Sequence, residues 1–286
     1  MRKLVQQKRV GHGGTLDPAA TGVLPIALGR ATRLLNYLSP DKAYRATVRF
    51  GITTTTDDLE GEILQDLPCP DLTYDRIQAV LPSFLGTIEQ IPPKYSAIQV
   101  DGQRLYDLAR SGQPVEVPTR TVTVHHIDAL DWRSQPYPEL DLAITCGPGT
   151  YIRAIARDLG TALGTGATLA ALTRTLSCGL ALDDSQTLEE ISIQAEAQTL
   201  ALITPGPLLL HLPALILPDE VAQRWQQGQK VAIASATNPE NIVITNQASP
   251  QPYRIRTTND NFLGIGEVMW NETDQLLLRP RLVYKP

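Results

Sequence analysis

Near the start of the chain, residues 11–24 read GHGGTLDPAATGVL. The clustered glycines of this stretch let the backbone approach a ligand closely, and Pro18 stiffens the turn directly after Asp17. A carboxylate held in one geometry can act as a nucleophile that forms a covalent intermediate, although an Asp-Pro pair in a loop is usually only a turn or cap. His-Gly-Gly also resembles the oxyanion loop of lipases, but no Gly-x-Ser-x-Gly follows, which excludes that class.

The composition is that of an ordinary globular protein. The chain has 286 residues, of which 42% are hydrophobic and 19% charged, so it can form one sizeable core with a small further domain. No apolar run reaches the roughly 18 residues of a membrane span, and the first seven residues have no secretory signal character. We therefore expect a cytoplasmic protein without a membrane segment.

The cysteines and histidines give no sign of a metal. Cys69, Cys146 and Cys178 lie far apart, which suits a reducing compartment and gives no zinc spacing. The four histidines contain no HExxH pair, and no Gly-x4-Gly-Lys-[Ser/Thr] phosphate loop occurs. We expect neither a metal nor a cofactor.

The charge is distributed unevenly along the chain. The net charge of −5 by itself argues against nucleic-acid binding. Residues 1–50, however, hold nine Lys and Arg against two Asp, whereas residues 179–220 hold seven acids and no Lys or Arg. Such an asymmetry can present a basic face to phosphates, with ordinary surface solvation as the alternative.

Hydrophobic periodicity predicts a mixture of strands and helices. Residues 8–29 are interpreted as a loop followed by a buried segment. Strands are predicted over 44–50, 119–127 and 139–146. Helices are predicted over 73–85, with a cap at Thr73 and a break near Pro82, over 103–111, over 151–163, and from Thr187, where a capping box includes Glu190.

A change in composition near residue 205 suggests a second domain. Residues 204–207 read Thr-Pro-Gly-Pro, which is typical of a linker, and residues 213–286 read as short strands separated by turns. We therefore divide the chain into residues 1–207 and residues 208–286.

The run over residues 11–24 resembles the signature of the TruB family, bacterial tRNA pseudouridine synthases that act on the T-arm uridine at position 55. Three further stretches resemble the family's other blocks in the same order. They are residues 44–61, residues 90–112 and residues 149–160. The likeness is strong over residues 8–180 and weak over the remainder.

This resemblance implies the fold. It is an α+β pseudouridine synthase fold, with a mixed, mainly antiparallel sheet flanked by helices and a small C-terminal β-rich PUA-like domain. Residues 1–207 correspond to the catalytic domain and residues 208–286 to the PUA-like domain, whose expected role is contact with the end of the RNA stem, or else a structural cap. Family members usually carry about thirty residues ahead of the Gly-His motif, so we expect this chain to lack a first strand and to expose a sheet edge.

The resemblance also implies three catalytic residues. Asp17 corresponds to the nucleophile, Tyr44 stacks on the target base and takes part in proton transfer, and Arg153 pairs with the carboxylate. From the residues alone, Tyr44 opens a strand and is explained by packing. Arg153 and Arg157 are explained by an ordinary solvated helix face.

Further residues are implied to bind the substrate. His12 takes the space of an extruded base, Arg33 contacts a phosphate, and Tyr95, Tyr151 and Leu172 line the base pocket. A loop histidine and core packing are the alternatives for these positions. The predicted binding residues are His12, Gly13, Gly14, Thr15, Arg33, Tyr95, Tyr151 and Leu172.

The implied function is isomerisation of a tRNA uridine without cofactor or metal. The partner is the T-arm stem-loop of tRNA, and we expect a monomer. Two alternatives stay open: an RNA-binding protein without catalysis, and an inactive fragment.

Overall fold

The computed structural model describes residues 1–95, 99–100, 103–104, 117–236 and 251–285. These residues form two compact units, each assembled from separate segments. The larger unit contains Gly14–Leu24 and Pro40–Ser185; the smaller unit contains Met1–Gly13, Pro25–Ser39 and Gln186–Pro286. The predicted domain boundary at residue 207 stays a prediction, because the two units are defined by contacts in the folded chain and not by continuous segments of sequence.

The secondary structure alternates strands with short helices. The strands are β1 Val10–His12, β2 Thr21–Gly22, β3 Ile26–Leu28, β4 Lys42–Phe50, β5 Ile52–Thr54, β6 Ile63–Asp66, β7 Gly86–Gln90, β8 Gln99–Val100, β9 Gln103–Arg104, β10 Arg120–Arg133, β11 Glu139–Cys146, β12 Ala167–Ser177, β13 Leu180–Ala181, β14 Ala214–Leu217, β15 Val231–Ala232, β16 Pro252–Thr257, β17 Phe262–Trp270 and β18 Leu276–Val283. The described α-helices are α1 Tyr74–Val80, α2 Ile152–Leu163, α3 Leu188–Glu196 and α4 Asp219–Gln226.

A seven-stranded sheet forms the centre of the larger unit. Its order is β13-β12-β4-β11-β10-β7, with β2 beside β12. The β2–β12 pair is parallel and the other pairs are antiparallel. The mixed, mainly antiparallel sheet predicted from the sequence is therefore confirmed, as are the strands over 44–50 and 139–146. The strand predicted over 119–127 is confirmed and continues to Arg133.

One face of this sheet forms the core, because alternate side chains of a strand point to the same side. Helices α1 and α2 pack on that face and contribute Ile77, Ile155 and Leu159. The buried apolar side chains that the sheet contributes to this core are Ala46, Val48, Phe50, Val124, Ile127, Leu140, Leu142, Ile144, Cys146, Ala167 and Leu169. The predicted helix over 151–163 is confirmed as α2, which presents Arg153 from its first turn.

The opposite face of β4, β11 and β10 carries a ladder of charges. Arg133 lies 2.8 Å from Asp141 and 3.2 Å from Glu139, and Arg45 lies 3.2 Å from Asp141. The hydrogen bond from Arg133, supported by bonds from Thr47 and Arg45, lowers the pKa of Asp141 below its ordinary value.

The other helix predictions have different outcomes. Helix α1 begins after Thr73 and gives way at Pro82 to the 3₁₀ turn Leu81–Phe84, as a proline within a helical pattern predicts. The capping box is confirmed, since the Glu190 amide donates to the Thr187 hydroxyl at 3.2 Å and the Thr187 amide donates back to the Glu190 carboxylate at 2.7 Å. The helix predicted over 103–111 is wrong at residues 103 and 104, which form β9; the rest lies outside the described residues.

The buried segment predicted to follow the glycine-rich loop is wrong in part. Val23 is buried, but Leu24 and Ile26 are among the exposed apolar residues. The reason is that β2 and β3 are only two and three residues long and therefore bury few of their side chains.

The smaller unit contains a five-stranded sheet of order β14-β16-β17-β18-β15. The β14–β16 pair is parallel and the others antiparallel. Helix α4, which the sequence did not predict, packs Ala222 and Trp225 against Tyr253 and Ile255 of β16. The β-rich character predicted for residues 213–286 is confirmed. Among the described residues, no helix is long and apolar enough to cross a membrane.

Candidate active site

Asp17 lies on the loop formed by residues 14–23, called here the Asp17 loop. The amide of Ala20 donates to the Asp17 carbonyl at 3.0 Å, which closes a turn around Pro18. Gly14 has φ +137°, and a Cβ there would lie 3.3 Å from the Lys42 side chain, so glycine suits this position. The Asp17 side chain is 38% exposed and can therefore meet a ligand.

Arg153 pairs with Asp17. Its Nε lies 2.9 Å from one Asp17 oxygen, and its Nη2 donates to the other at 3.1 Å. The Nε–H is not aligned as a hydrogen bond, so charge attraction and the Nη2 bond hold the pair. Arg153 also donates to the carbonyls of Thr56 and Tyr95 and is only 5% exposed, which rules out the solvated helix face.

A second carboxylate, Asp58, shares Arg153. Its Oδ2 lies 3.3 Å from Arg153 Nη1, while Oδ1 accepts from the Thr56 hydroxyl at 2.5 Å and the Glu60 amide at 3.1 Å. One guanidinium thus bridges two carboxylates, one fixed within the protein and one facing the cavity. Asp58 lies within residues 44–61, one of the stretches that resemble the family, but no role was predicted for it.

Tyr44 lies at the start of β4, half-buried against the core. Burial raises the pKa of its hydroxyl to about 12, with further raising contributions from Cys146 and Asp17 and an opposing contribution from the Arg174 guanidinium. The hydroxyl is therefore protonated at neutral pH.

These groups surround a small cavity of about 100 Å³. Typical ligand pockets hold at least roughly 300 Å³, so this one fits a single ring rather than a whole ligand. The predicted pocket residues Tyr151 and Leu172 line it, whereas Tyr95 contributes its carbonyl to Arg153. The lining residues are Thr15, Leu16, Asp17, Tyr44, Thr150, Tyr151, Ile152, Arg153, Leu172 and Arg174.

Arg174, on β12, was missed by sequence reasoning. It is 1% exposed and donates to the carbonyls of Val23 at 2.8 Å, Gly14 at 3.0 Å and Thr15 at 3.1 Å. The sequence around Arg174 does not indicate that this side chain is buried. The carbonyls that accept its hydrogen bonds lie about 150 positions away along the chain.

The remaining predicted residues belong to the smaller unit. His12 lies on β1 opposite Ile26 of β3, and the Gly13 amide donates to the Pro25 carbonyl at 2.9 Å. Arg33 is exposed and donates to the Arg281 carbonyl at 3.3 Å. The larger unit thus brings together Gly14, Thr15, Asp17, Tyr44, Tyr95, Tyr151, Arg153 and Leu172; the roles of all these residues stay predictions.

A larger cavity of about 820 Å³ lies within the smaller unit. Arg30 and Lys285 are the charged residues of its lining, which offers no carboxylate or thiol to act as a nucleophile. Within the described residues, no group of three His, Cys, Asp or Glu side chains could hold a metal ion. The Asp17 cavity is therefore the candidate site: a partly exposed carboxylate, a buried guanidinium and a neutral phenol surround the space for one ring.

Two family models and several relatives of known name match this chain. A family model described as TruB family pseudouridylate synthase (N terminal domain) matches residues 2–152, and one described as pseudouridine synthase II TruB, C-terminal, matches residues 213–281. A protein named tRNA pseudouridine synthase B from Nostoc sp. is 54% identical over 286 residues, covering 100% of this chain and 92% of the relative. Its namesake from Gloeobacter violaceus is 56% identical over 232 residues, covering 81% and 80%.

Solved structures share the fold. A chain of the Cbf5-Nop10-Gar1 complex superposes with a TM-score of 0.73 at 24% identity, covering 100% of this chain and 79% of that one. A chain of an H/ACA RNP bound to a substrate RNA containing 2′-deoxyuridine gives 0.71 at 22%, with the same coverage. The pseudouridine synthase fold predicted from the sequence is therefore confirmed.

Proposed function

The chain belongs to the TruB family of pseudouridylate synthases, and from this premise we propose that it isomerises the uridine at position 55 in the T-loop of tRNA. The observation that carries the proposal is the Asp17–Arg153 ion pair at the edge of a ring-sized cavity. The relatives' name, tRNA pseudouridine synthase B, supports the substrate class.

Asp17 is the proposed nucleophile. Conversion of uridine to pseudouridine breaks the bond from N1 of the base to C1′ of the ribose and forms a bond from C5 to C1′. The Asp17 carboxylate can begin this either by attack on C1′, which gives a covalent intermediate, or by removal of the C2′ proton. The overall change is an intramolecular transfer, so it consumes no oxidant or energy source.

Arg153 is the proposed partner of the carboxylate. A cation in the first turn of a helix is disfavoured by the helix dipole, but a carboxylate facing that turn is favoured. The Asp17–Arg153 pair therefore places the anion at the amino end of α2, in the orientation set by two short contacts. Arg153 keeps its own position through Asp58.

Tyr44 is proposed to hold the detached base and to take part in the final loss of the C5 proton. An extruded base must replace its lost stacking, and an aromatic ring can do so. Because the pKa of Tyr44 is about 12, its oxygen can accept the C5 proton only if its own proton passes in the same step to a second base, for which the Asp17 carboxylate of the same cavity is the proposed acceptor. We propose that the side chains of Tyr151 and Leu172 form apolar walls around the base, and that Tyr95 borders the same site through its carbonyl.

The RNA is proposed to bind in a conformation with the target base extruded. His12 takes the space vacated in the T-loop, Gly13, Gly14 and Thr15 approach the RNA through their backbone, and Arg33 contacts a phosphate. Residues 208–286 act as the PUA-like domain that contacts the end of the stem. We further propose that the protein acts as a monomer in the cytoplasm.

The experiment is pseudouridine mapping on a T-arm stem-loop RNA incubated with the protein. We expect pseudouridine at position 55 only, and none in a control RNA that carries cytidine there. Binding without product would support the RNA-binding alternative, and pseudouridine at another position would contradict the assignment of the T-loop site.

A further inference from the structure

Arg174 is a buried cation that donates hydrogen bonds to three backbone carbonyls. Its guanidinium donates to Val23, Thr15 and Gly14, and among the described residues no carboxylate lies within ion-pair distance of it. Burying a charge without a counter-ion is costly, and charge-assisted hydrogen bonds offset part of that cost. The local structure therefore depends on these three bonds.

The three carbonyls belong to the two ends of the Asp17 loop. Gly14 and Thr15 precede Asp17, and Val23 follows it, so one planar group ties both ends together. The backbone of Arg174 continues the attachment, because the Val23 amide donates to the Arg174 carbonyl at 2.9 Å.

Gly22 makes this close approach possible. It pairs with Arg174 in the parallel β2–β12 contact, and a Cβ on Gly22 would lie only 2.2 Å from the Arg174 carbonyl oxygen. Its φ of +104° also lies in the region that favours glycine. The Asp17 loop is thus held against β12 both by the side chain of Arg174 and by its backbone.

We propose that Arg174 is a positioning residue for the reaction: it fixes the Asp17 loop so that the carboxylate meets Arg153 at the cavity. This inference rests on the proposed function of Asp17. The same guanidinium lies beside the Tyr44 hydroxyl and lines the cavity, so it holds the nucleophile loop next to the ring that receives the base.

Lysine is the informative replacement. Arginine presents its five N–H donors in a rigid fork, whereas lysine presents three donors from one nitrogen. An ammonium keeps the positive charge but cannot reach the two ends of the loop from separate nitrogens. Arg174→Lys therefore separates the geometry of the fork from the charge.

The experiment compares Arg174→Lys and Gly22→Ala with wild type. We expect each to lower the single-turnover rate of pseudouridine formation by about tenfold or more, because a misplacement of about 1 Å costs on the order of a hundredfold. RNA affinity should stay within a factor of about three, since the change acts on the reacting geometry rather than on uniform binding. Amide hydrogen exchange over residues 14–23 should become faster.

Arg133→Lys is the matched control. Arg133 contacts Asp131, Glu139 and Asp141 on the charged face of the sheet, so its replacement perturbs an arginine network away from the Asp17 loop. Its rate and its exchange over residues 14–23 should remain those of wild type.

The outcomes separate the two proposals. A folded Arg174→Lys protein with the wild-type rate and unchanged exchange would overturn the positioning role. If Arg174→Lys does not fold, Gly22→Ala decides by the same two readouts. A wild-type protein that makes no pseudouridine would contradict the proposed function, whereas the exchange comparison would still test whether Arg174 holds the loop.

Discussion

Replacing Arg153 by lysine removes a set of contacts that one ammonium cannot reproduce. Arg153 faces five acceptor atoms: both carboxylate oxygens of Asp17 at 2.9 and 3.1 Å, Asp58 Oδ2 at 3.3 Å, and the carbonyls of Thr56 and Tyr95 at 3.0 and 3.2 Å. A lysine has three donors on one nitrogen, so at least two acceptors lose their partner. The two-point orientation of Asp17 is lost with them.

The size of the effect follows from these contacts. A hydrogen bond to a charged group contributes about 1.5–3 kcal/mol, and the lost orientation of Asp17 acts on the reacting geometry. Because the Asp17 side chain is 38% exposed, water replaces part of that contribution. We therefore expect a loss of about 3 kcal/mol in transition-state stabilisation, which is on the order of a hundredfold in rate.

The assay is single-turnover conversion of a T-arm RNA with the enzyme in excess, together with RNA affinity and thermal stability. Arg157→Lys is the control, because Arg157 lies one helical turn further along α2 and pairs with Asp57 at 2.9 Å and Asp158 at 2.8 Å. Its side chain bonds to Asp57, Asp158 and the Ile91 carbonyl rather than to Asp17, so the rate of Arg157→Lys should stay within about threefold of wild type.

Two results would refute this reasoning. If Arg153→Lys reacts at the wild-type rate, the guanidinium fork is not needed to orient Asp17. If Arg157→Lys loses as much activity as Arg153→Lys, the loss reflects the stability of α2 rather than the pairing with the carboxylate.

Three further predictions concern proton transfer and stability. Tyr44→Phe should slow pseudouridine formation with little change in RNA affinity. Because burial raises the Tyr44 pKa to about 12, the rate of wild type should show no inflection from a phenol between about pH 6 and pH 9. An inflection in that range that Tyr44→Phe abolishes would contradict this. Glu267→Gln should lower the free energy of unfolding by about 2 kcal/mol, because the buried Glu267 carboxylate pairs with Arg279 at 2.8 Å and Arg281 at 2.7 Å. Urea denaturation measures this change, and an unchanged midpoint would show that the pairs contribute no net stability. Asp141→Asn should weaken the fall of the free energy of unfolding in acid, because the pKa of Asp141 is lowered in the folded protein. The stability that Asp141 contributes is full above its unfolded pKa of about 3.9 and is lost as the pH falls through the folded pKa. Equal pH dependence of stability in the two proteins below about pH 5 would argue against this.

Local patterns predicted the elements that position the site. The alternation of Leu140, Leu142, Ile144 and Cys146 fixed both the strand β11 and its buried face. The turn after Gly147 and the following apolar pattern gave α2 within one residue. These features are decided by neighbouring residues, so the sequence carries them directly.

Long-range polar contacts were not predictable in the same way. Arg174 is separated from Val23 by 151 positions, and nothing in its own strand shows that its partners are carbonyls. Asp58 depends on Arg153 from another element. Helix α4 begins directly after Pro218, within a region that the sequence pattern assigned to short strands and turns, so it was not predicted.

The assignment of Asp17 as nucleophile is tested most directly by Asp17→Asn. Asparagine keeps the size of the side chain and lacks the anionic oxygen, so the substitution changes the chemistry with little change in packing. The measurement is pseudouridine formation in a T-arm RNA with the enzyme in excess, alongside RNA affinity. We expect no detectable pseudouridine from Asp17→Asn, while its RNA affinity stays within about threefold of wild type. Conversion at the wild-type rate would show that Asp17 is not the nucleophile.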